Sequence, residues 1–506
     1  MRFLSGPRLD FGLPWYGLLL LVLAAAVAGL VSASGSPILI APILGLISLP
    51  ILLAIPAKAV ALGIFALAFV VVGPIGYFGK VSQAYWLPYL LALLLYLHVG
   101  AGALLGRSRR RAALPPFYWT IAAFVGVIVL SVAINQTPPL QVVIATKNYL
   151  FLWSIFFVFA VGLANDRVAE YFWKGLLLVA AIQLPVCIFQ YLRADAHGWD
   201  AVSGTFGGSE SGGASGTVGL MMILSFTLIL GLLRAKQLKP GAATVLALLS
   251  LTPVALAEVK AAVVLFMPIA LLLQYSREIG RNPLVLLRLG AIVGALMVGF
   301  FAIYQTLHYS RAETAGYRGS PLDKIAEAVE LETNPAHVRE ATGEMGRTAI
   351  IVFWWRAHDM SQVDKMLFGH GPGALRSSSV YIGEIAYKYP YYRMDRHAVA
   401  FLLWDLGLVG LGVFVVLLFA GMKRSLALAE HPEIPLRHRV YLKAGAVALG
   451  LLGASLIYMR AAIDSASGQA LMTFCLGQAA FWHVRVAAAP ASSATRKAWR
   501  LGARHG

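Results

Sequence analysis

Six residues stand out by type and position as able to do chemistry: Lys260, Arg347, Arg356, Arg376, Arg396 and His397. Five of them are cations at or beside the ends of apolar stretches, where an ionised side chain is costly and marks a functional candidate. The guanidinium fork matches two phosphate oxygens at once and lysine adds a point charge, so the set suits a phosphate or diphosphate. In GRTAIIVFWWRAHDM, residues 346–360, helical spacing places Arg347, Ile351, Trp354 and His358 on one face and Arg356 on the opposite one. The same stripe also suits an aromatic belt with snorkelling cations at a bilayer surface. Metal ligation has little support, because no HExxH, CxxC or outward Asp-x-Asp is present, and no Walker loop offers ATP as an energy source. Phosphate-binding cations with a histidine and no metal can still run glycosyl transfer from a lipid diphosphate. The cations stabilise the leaving group and the histidine takes the acceptor's proton.

The elements that must position these residues are membrane spans. Of 506 residues, 59% are hydrophobic and 13% charged, with a mean hydropathy of +0.75, whereas soluble domains carry about 25% charge. Apolar runs long enough to cross about 30 Å of hydrocarbon lie near 15–32, 37–56, 59–78, 84–106, 117–134, 148–164, 171–192, 215–233, 241–257, 261–275, 284–305, 397–421, 440–460 and 466–486. The expectation is an all-α polytopic membrane protein with about fourteen (twelve to fourteen) transmembrane helices. The region 37–78, interrupted by Pro50, Pro56 and Pro74, and the pair flanking Glu258 read as broken or re-entrant helices.

Lysine and arginine bias sets the orientation. With a cytoplasmic N-terminus, 25 of the 41 basic residues, including Arg107, Arg109, Arg110 and Arg111, fall on inside segments, and only Lys80, Lys147, Arg193, Lys260 and Arg460 on short outside ones. The remaining eleven lie with eleven acids in 306–396, a long translocated segment exempt from the rule. The net charge of +18 therefore reports topology, and nucleic acid is not an expected partner. Cys187 and Cys475 both fall in apolar runs, so no disulfide or cysteine metal site is implied. The first span has no small-residue cleavage site and reads as retained.

Four regions follow: an N-terminal transmembrane bundle, 1–305, of about eleven helices; an outside loop subdomain, 306–396; about three C-terminal spans, 397–487; and a basic cytoplasmic tail, 488–506. Within the loop, 323–341 has helical spacing up to Asn334-Pro335, LFGHGPGALRSSS (367–379) is a glycine-rich turn, and 381–397 is dense in tyrosine. A loop this long is normally functional or disordered, and this composition suits a small domain over the mouth of the bundle. SGTFGGSESGGASGTVG (203–219) reads either as a flexible linker or as a loop that lets backbone approach a sugar or phosphate. Asp405 reads as a structural partner within the bundle, and GLVGLG (407–412) as close packing by small residues.

The order GTFGG near 204, AEVKA at a span start, GRTAIIVFWW, LFGHGPGA and RHAVAFLLWDLGLVGLG resembles the superfamily of O-antigen ligases and Wzy-type polysaccharide polymerases over roughly 200–420. The resemblance implies a GT-C-like fold in a bacterial inner membrane, both termini cytoplasmic and the long loop periplasmic. It implies that Lys260 and Arg347 bind the donor diphosphate and that His397 is the base. Val259-Lys260 stands where the family often has Ser-Arg, and His397-Ala398 where it has His-Asn. The implied activity is metal- and cofactor-independent polymerisation of undecaprenyl-diphosphate-linked oligosaccharide units into exopolysaccharide or O-antigen. A ligase moving glycan from the same carrier to lipid A core or protein is the nearest alternative. Membrane lipid and other polysaccharide export and chain-length proteins are the further partners implied. A lipid-linked-sugar flippase is a third reading, which internal repeats would favour; none is evident.

Overall fold

The computed structural model describes residues 53–104, 115–193, 201–208, 213–309, 329–330, 332–339, 343–378 and 381–488. Those from Val60 onward belong to one compact unit. The chain is almost entirely helical: α1 (Ala57–Gly79), α2 (Ser82–Leu104), α3 (Phe117–Asn135), α4 (Pro139–Phe151), α5 (Trp153–Ala160), α6 (Asp166–Arg193), α7 (Ser215–Arg234), α8 (Pro240–Leu256), α9 (Ala262–Gln274) and α10 (Leu284–Leu307). Then come α11 (Arg347–Ala357), α12 (Val363–Phe368), α13 (Glu384–Lys388), α14 (Ala398–Ala429), α15 (Leu436–Ser455) and α16 (Ala466–Ala488). A hairpin of two-residue strands, Val338–Arg339 with Glu344–Met345, precedes α11; residues 329–330 and 332–333 ahead of Asn334-Pro335 are helical.

Among the described residues seven helices are long and apolar enough to cross a membrane, or eight if α4 and α5, bent by 44°, are one span. That corrects the expected twelve to fourteen. The spans at 15–32 and most of 37–56 lie outside the described residues, as do Arg107 to Arg111 and the tail from 489. Others are real helices that fail for physical reasons. α8 and α9 are short, separated by a turn in which Glu258 takes a left-handed φ of 48°. α15 opens with Arg437, His438 and Arg439, and α16 carries Gln469, Thr473, Gln478 and His483 along its length, so both are less apolar than a membrane span. α10 is the opposite case: Leu287 and Val298 are 71% and 72% exposed, as befits a helix facing lipid.

Charge is segregated along α6. Near its start Glu170 pairs with Lys174 and Arg437, both at 2.7 Å, and Asp166 pairs with Arg485 at 3.4 Å. Twenty residues further on, about 30 Å along a helix, Gln190 is buried and grips the 203–206 turn. Thirty ångströms is about the thickness of a bilayer's hydrocarbon core.

That turn is not a free linker. Gln190 Oε1 accepts from the Ser203 and Gly204 amides at 3.0 and 2.7 Å, and Gln183 Oε1 accepts from the Thr205 amide at 2.8 Å. Thr205 in turn donates its hydroxyl to the Phe69 carbonyl of α1. Phe206, Gly208 and Gly213 of this segment line the cavity described below.

The glycine-rich turn after α12 is pinned to α14. Gly407 breaks that helix with φ 69°, and a Cβ there would lie 2.4 Å from the Leu367 backbone. Across the contact Gly369, φ 72°, meets the Asp405 backbone as closely. Neither position tolerates a side chain, because the two backbones touch and both residues occupy the left-handed region. Asp405, fully buried, accepts from Tyr149 Oη at 2.8 Å, Gly373 N at 2.8 Å and Leu375 N at 3.3 Å, the structural role its position in the sequence suggests.

Candidate functional site

A cavity of about 750 Å³ opens where α1, α2, α4, the start of α7, the loop before α14 and the link between α15 and α16 meet. Five cations line it: Lys147, Arg347, Arg393, Arg396 and Arg460. Three acids, Glu344, Asp395 and Asp464, line it too. Lys147 and Arg460 come from short segments and the other three from the long loop, so residues expected on one side of the membrane do meet in one place.

Most of these charges are committed to one another. Arg347 pairs with Glu332 and donates from Nε to the Tyr458 carbonyl at 2.9 Å, its guanidinium lying 4.4 Å over the Tyr458 ring. Glu332 also accepts from the Arg347 amide at 3.1 Å, placing a carboxylate on the N-terminus of α11. Arg396 reaches Glu344 at 3.1 Å. Asp464 holds Arg376 at 2.8 Å and Arg460 at 3.2 Å. Burial pulls the Asp464 carboxyl up, but Arg376 and Arg460 together outweigh it and hold it well below the usual carboxylate range.

Two cavity cations differ. Among the described residues, no carboxylate pairs with Lys147 or Arg393. The Lys147 ammonium sits between aromatic faces, 4.3 Å from the Trp86 centroid and 4.5 Å from that of Tyr89. Its position is set by a π-helical turn, Lys147–Phe151, where α4 widens before the bend into α5; such turns re-aim a side chain that regular helix would point elsewhere. The N-termini of α7, at Ser215 and Gly216, and of α16, at Ser465 to Ser467, also open onto the cavity. Each contributes partial positive charge and backbone N–H groups, which favour an anion.

Of the six residues singled out in the sequence, Arg347 and Arg396 line this cavity, and Arg376 stands directly behind it on Asp464. Lys260 does not reach it; its ammonium lies 3.4 Å from Glu258. Arg356 is exposed on the far side of α11. His397 is fully buried, and its Nδ1 accepts from the Ala400 amide at 3.2 Å, capping α14. Its Nε2 is buried and has no hydrogen-bond partner among the described residues, and the ring is not part of the cavity lining. Burial, with Arg347 and Arg396 close by, pushes its pKa down to about 4, which keeps it neutral as a cap requires.

The opening stripe holds to protein and not to lipid. Trp354 is 2% exposed and donates Nε1 to the Leu403 carbonyl at 3.2 Å, while Trp355 on the other face is 60% exposed. His358 Nδ1 meets the Trp354 carbonyl at 2.7 Å, so it carries the hydrogen there, and its Nε2 meets His370 Nε2 at 3.0 Å. Sequence reasoning passed over Lys147, Asp395 and Glu332. The signal available for Lys147 was a lysine directly ahead of the apolar run YLFLWSIFFVF; for Asp395 it was an acid set between Arg393 and Arg396.

Compared with known proteins, the chain matches no family model and no curated relative.

Proposed function

We propose that this protein is a glycosyltransferase whose donor is an oligosaccharide linked through diphosphate to a polyprenyl lipid. On this reading it works at the periplasmic face of a bacterial inner membrane and joins undecaprenyl-diphosphate-linked repeat units into a longer glycan. The observation that carries the reading is the pairing pattern around the cavity. Five cations and the N-termini of two long helices surround it, and Lys147 and Arg393 have no carboxylate partner among the described residues. A diphosphate supplies the missing negative charge, and a lipid carrier fits a site framed by apolar helices. Tyr85 also lines the cavity and offers an aromatic ring to a sugar. A diphosphate is also a leaving group whose growing charge in the transition state is what fixed cations stabilise.

The test is competition binding in detergent. Polyprenyl-diphosphate-linked oligosaccharide should bind, inorganic pyrophosphate should displace it, and affinity should fall as salt is raised, as for partly exposed charge contacts. Equal binding of the same glycan on an uncharged lipid would remove the basis of the proposal.

A further inference from the structure

We propose that Asp395, not a histidine, is the general base of this reaction; the inference rests on the glycosyl-transfer reading above. Of the three cavity carboxylates, two are fully occupied. Glu344 gives one oxygen to Arg396 at 3.1 Å and the other to Arg339 at 3.3 Å. Asp464 gives one to Arg376 and the other to Arg460. Asp395 is held on one side only: Arg460 Nη1 donates to its Oδ2 at 2.6 Å and to its own backbone carbonyl at 3.0 Å. Among the described residues Oδ1 has no hydrogen-bond donor. The side chain is also the most open of the three, 48% exposed against 24% for Asp464 and 26% for Glu344.

A base must lie within hydrogen-bond reach of the proton it takes and must be held in one orientation. Asp395 meets both conditions. Arg460 holds the residue through two contacts, one to Oδ2 and one to the backbone carbonyl, while the other carboxylate oxygen is open to the space that Lys147, Arg393 and Arg396 border. The lining offers no imidazole or thiol. In the step, the acceptor hydroxyl oxygen forms a bond to the anomeric carbon and gives its proton to Asp395 Oδ1. The bond from that carbon to the phosphate oxygen breaks, its electron pair leaving with the diphosphate. Lys147 and Arg393 face the charge that develops there.

The test compares the parent with Asp395→Asn, whose amide oxygen still accepts from Arg460, so the fold and the Arg460 position are kept. The substrate is a polyprenyl-diphosphate-linked oligosaccharide. In the variant kcat should fall by about 10²- to 10⁴-fold, the usual worth of general-base assistance, with donor binding within about threefold of the parent. The charged groups facing Asp395 are Arg460, Arg393, Arg396, Arg347, Lys147, Glu344 and Asp464. Turnover within about threefold of the parent overturns the assignment. So does a fall in activity matched by lost donor binding, since that makes Asp395 only an anchor for Arg460. A parent that binds no donor and transfers no glycan refutes the underlying reading itself, and the base with it.

Discussion

Replacing Lys147 with methionine is expected to weaken binding of a diphosphate-linked lipid by about ten- to hundredfold, the worth of one charge-assisted hydrogen bond to phosphate. Methionine keeps the unbranched length and lies against Trp86 and Tyr89 as the lysine stem does, so folded protein should be recovered in normal yield. The expected loss is large because Lys147 has no competing carboxylate in an ion pair with it among the described residues. Arg347, by contrast, is committed to Glu332 and the Tyr458 carbonyl, so its release toward a ligand must break existing bonds, and Arg347→Met should both weaken binding and loosen α11. Titration of both variants with pyrophosphate and with a polyprenyl diphosphate separates the two. Unchanged affinity in Lys147→Met would mean that the ammonium is an aromatic-slot anchor and nothing more.

The second large effect is on folding. Asp405→Ala removes the acceptor for the Tyr149 hydroxyl and for the Gly373 and Leu375 amides at once, all inside the protein. A buried donor left without a partner costs about 1–3 kcal/mol, and three of them stand against a whole-protein stability of about 5–15 kcal/mol. The glycine turn should detach from α14 and take Arg376 away from Asp464 with it. Asp405→Asn is expected to fare little better, since an amide offers one acceptor oxygen and turns two donors toward donors. The measurement is recovery of monodisperse protein and its thermal midpoint in detergent. A midpoint within a few degrees of the parent in Asp405→Ala would show that the turn is held by its glycine contacts alone.

What could be read in the sequence was the chemistry of isolated charges in an apolar chain. Arg347 and Arg396 are in the cavity and Arg376 is one residue behind it, because an arginine beside a span is too costly to be kept there without a partner. Lys260 and Arg356 have the same composition signal but point elsewhere, and nothing in linear spacing distinguishes them. Lys147 was hidden because its direction depends on one π-helical turn. His397 was legible as a histidine at a span start; that its Nδ1 caps α14 on the Ala400 amide is visible only in the structure. Helix number failed for a related reason: the apolar runs at the end of the chain also carry polar side chains, Arg437 and Arg439 in α15 and Gln469 and Gln478 in α16.

The central claim is that a cation-lined cavity, in which Lys147 and Arg393 have no carboxylate partner among the described residues, serves glycosyl transfer from a lipid diphosphate. Its most direct test incubates purified protein with a polyprenyl-diphosphate-linked oligosaccharide and an acceptor glycan, with no nucleotide sugar added, and follows glycan length and free polyprenyl diphosphate together. The account predicts longer glycan with one lipid diphosphate released per unit joined. Donor that binds tightly yet stays intact, with no extended glycan and no released carrier, would contradict it.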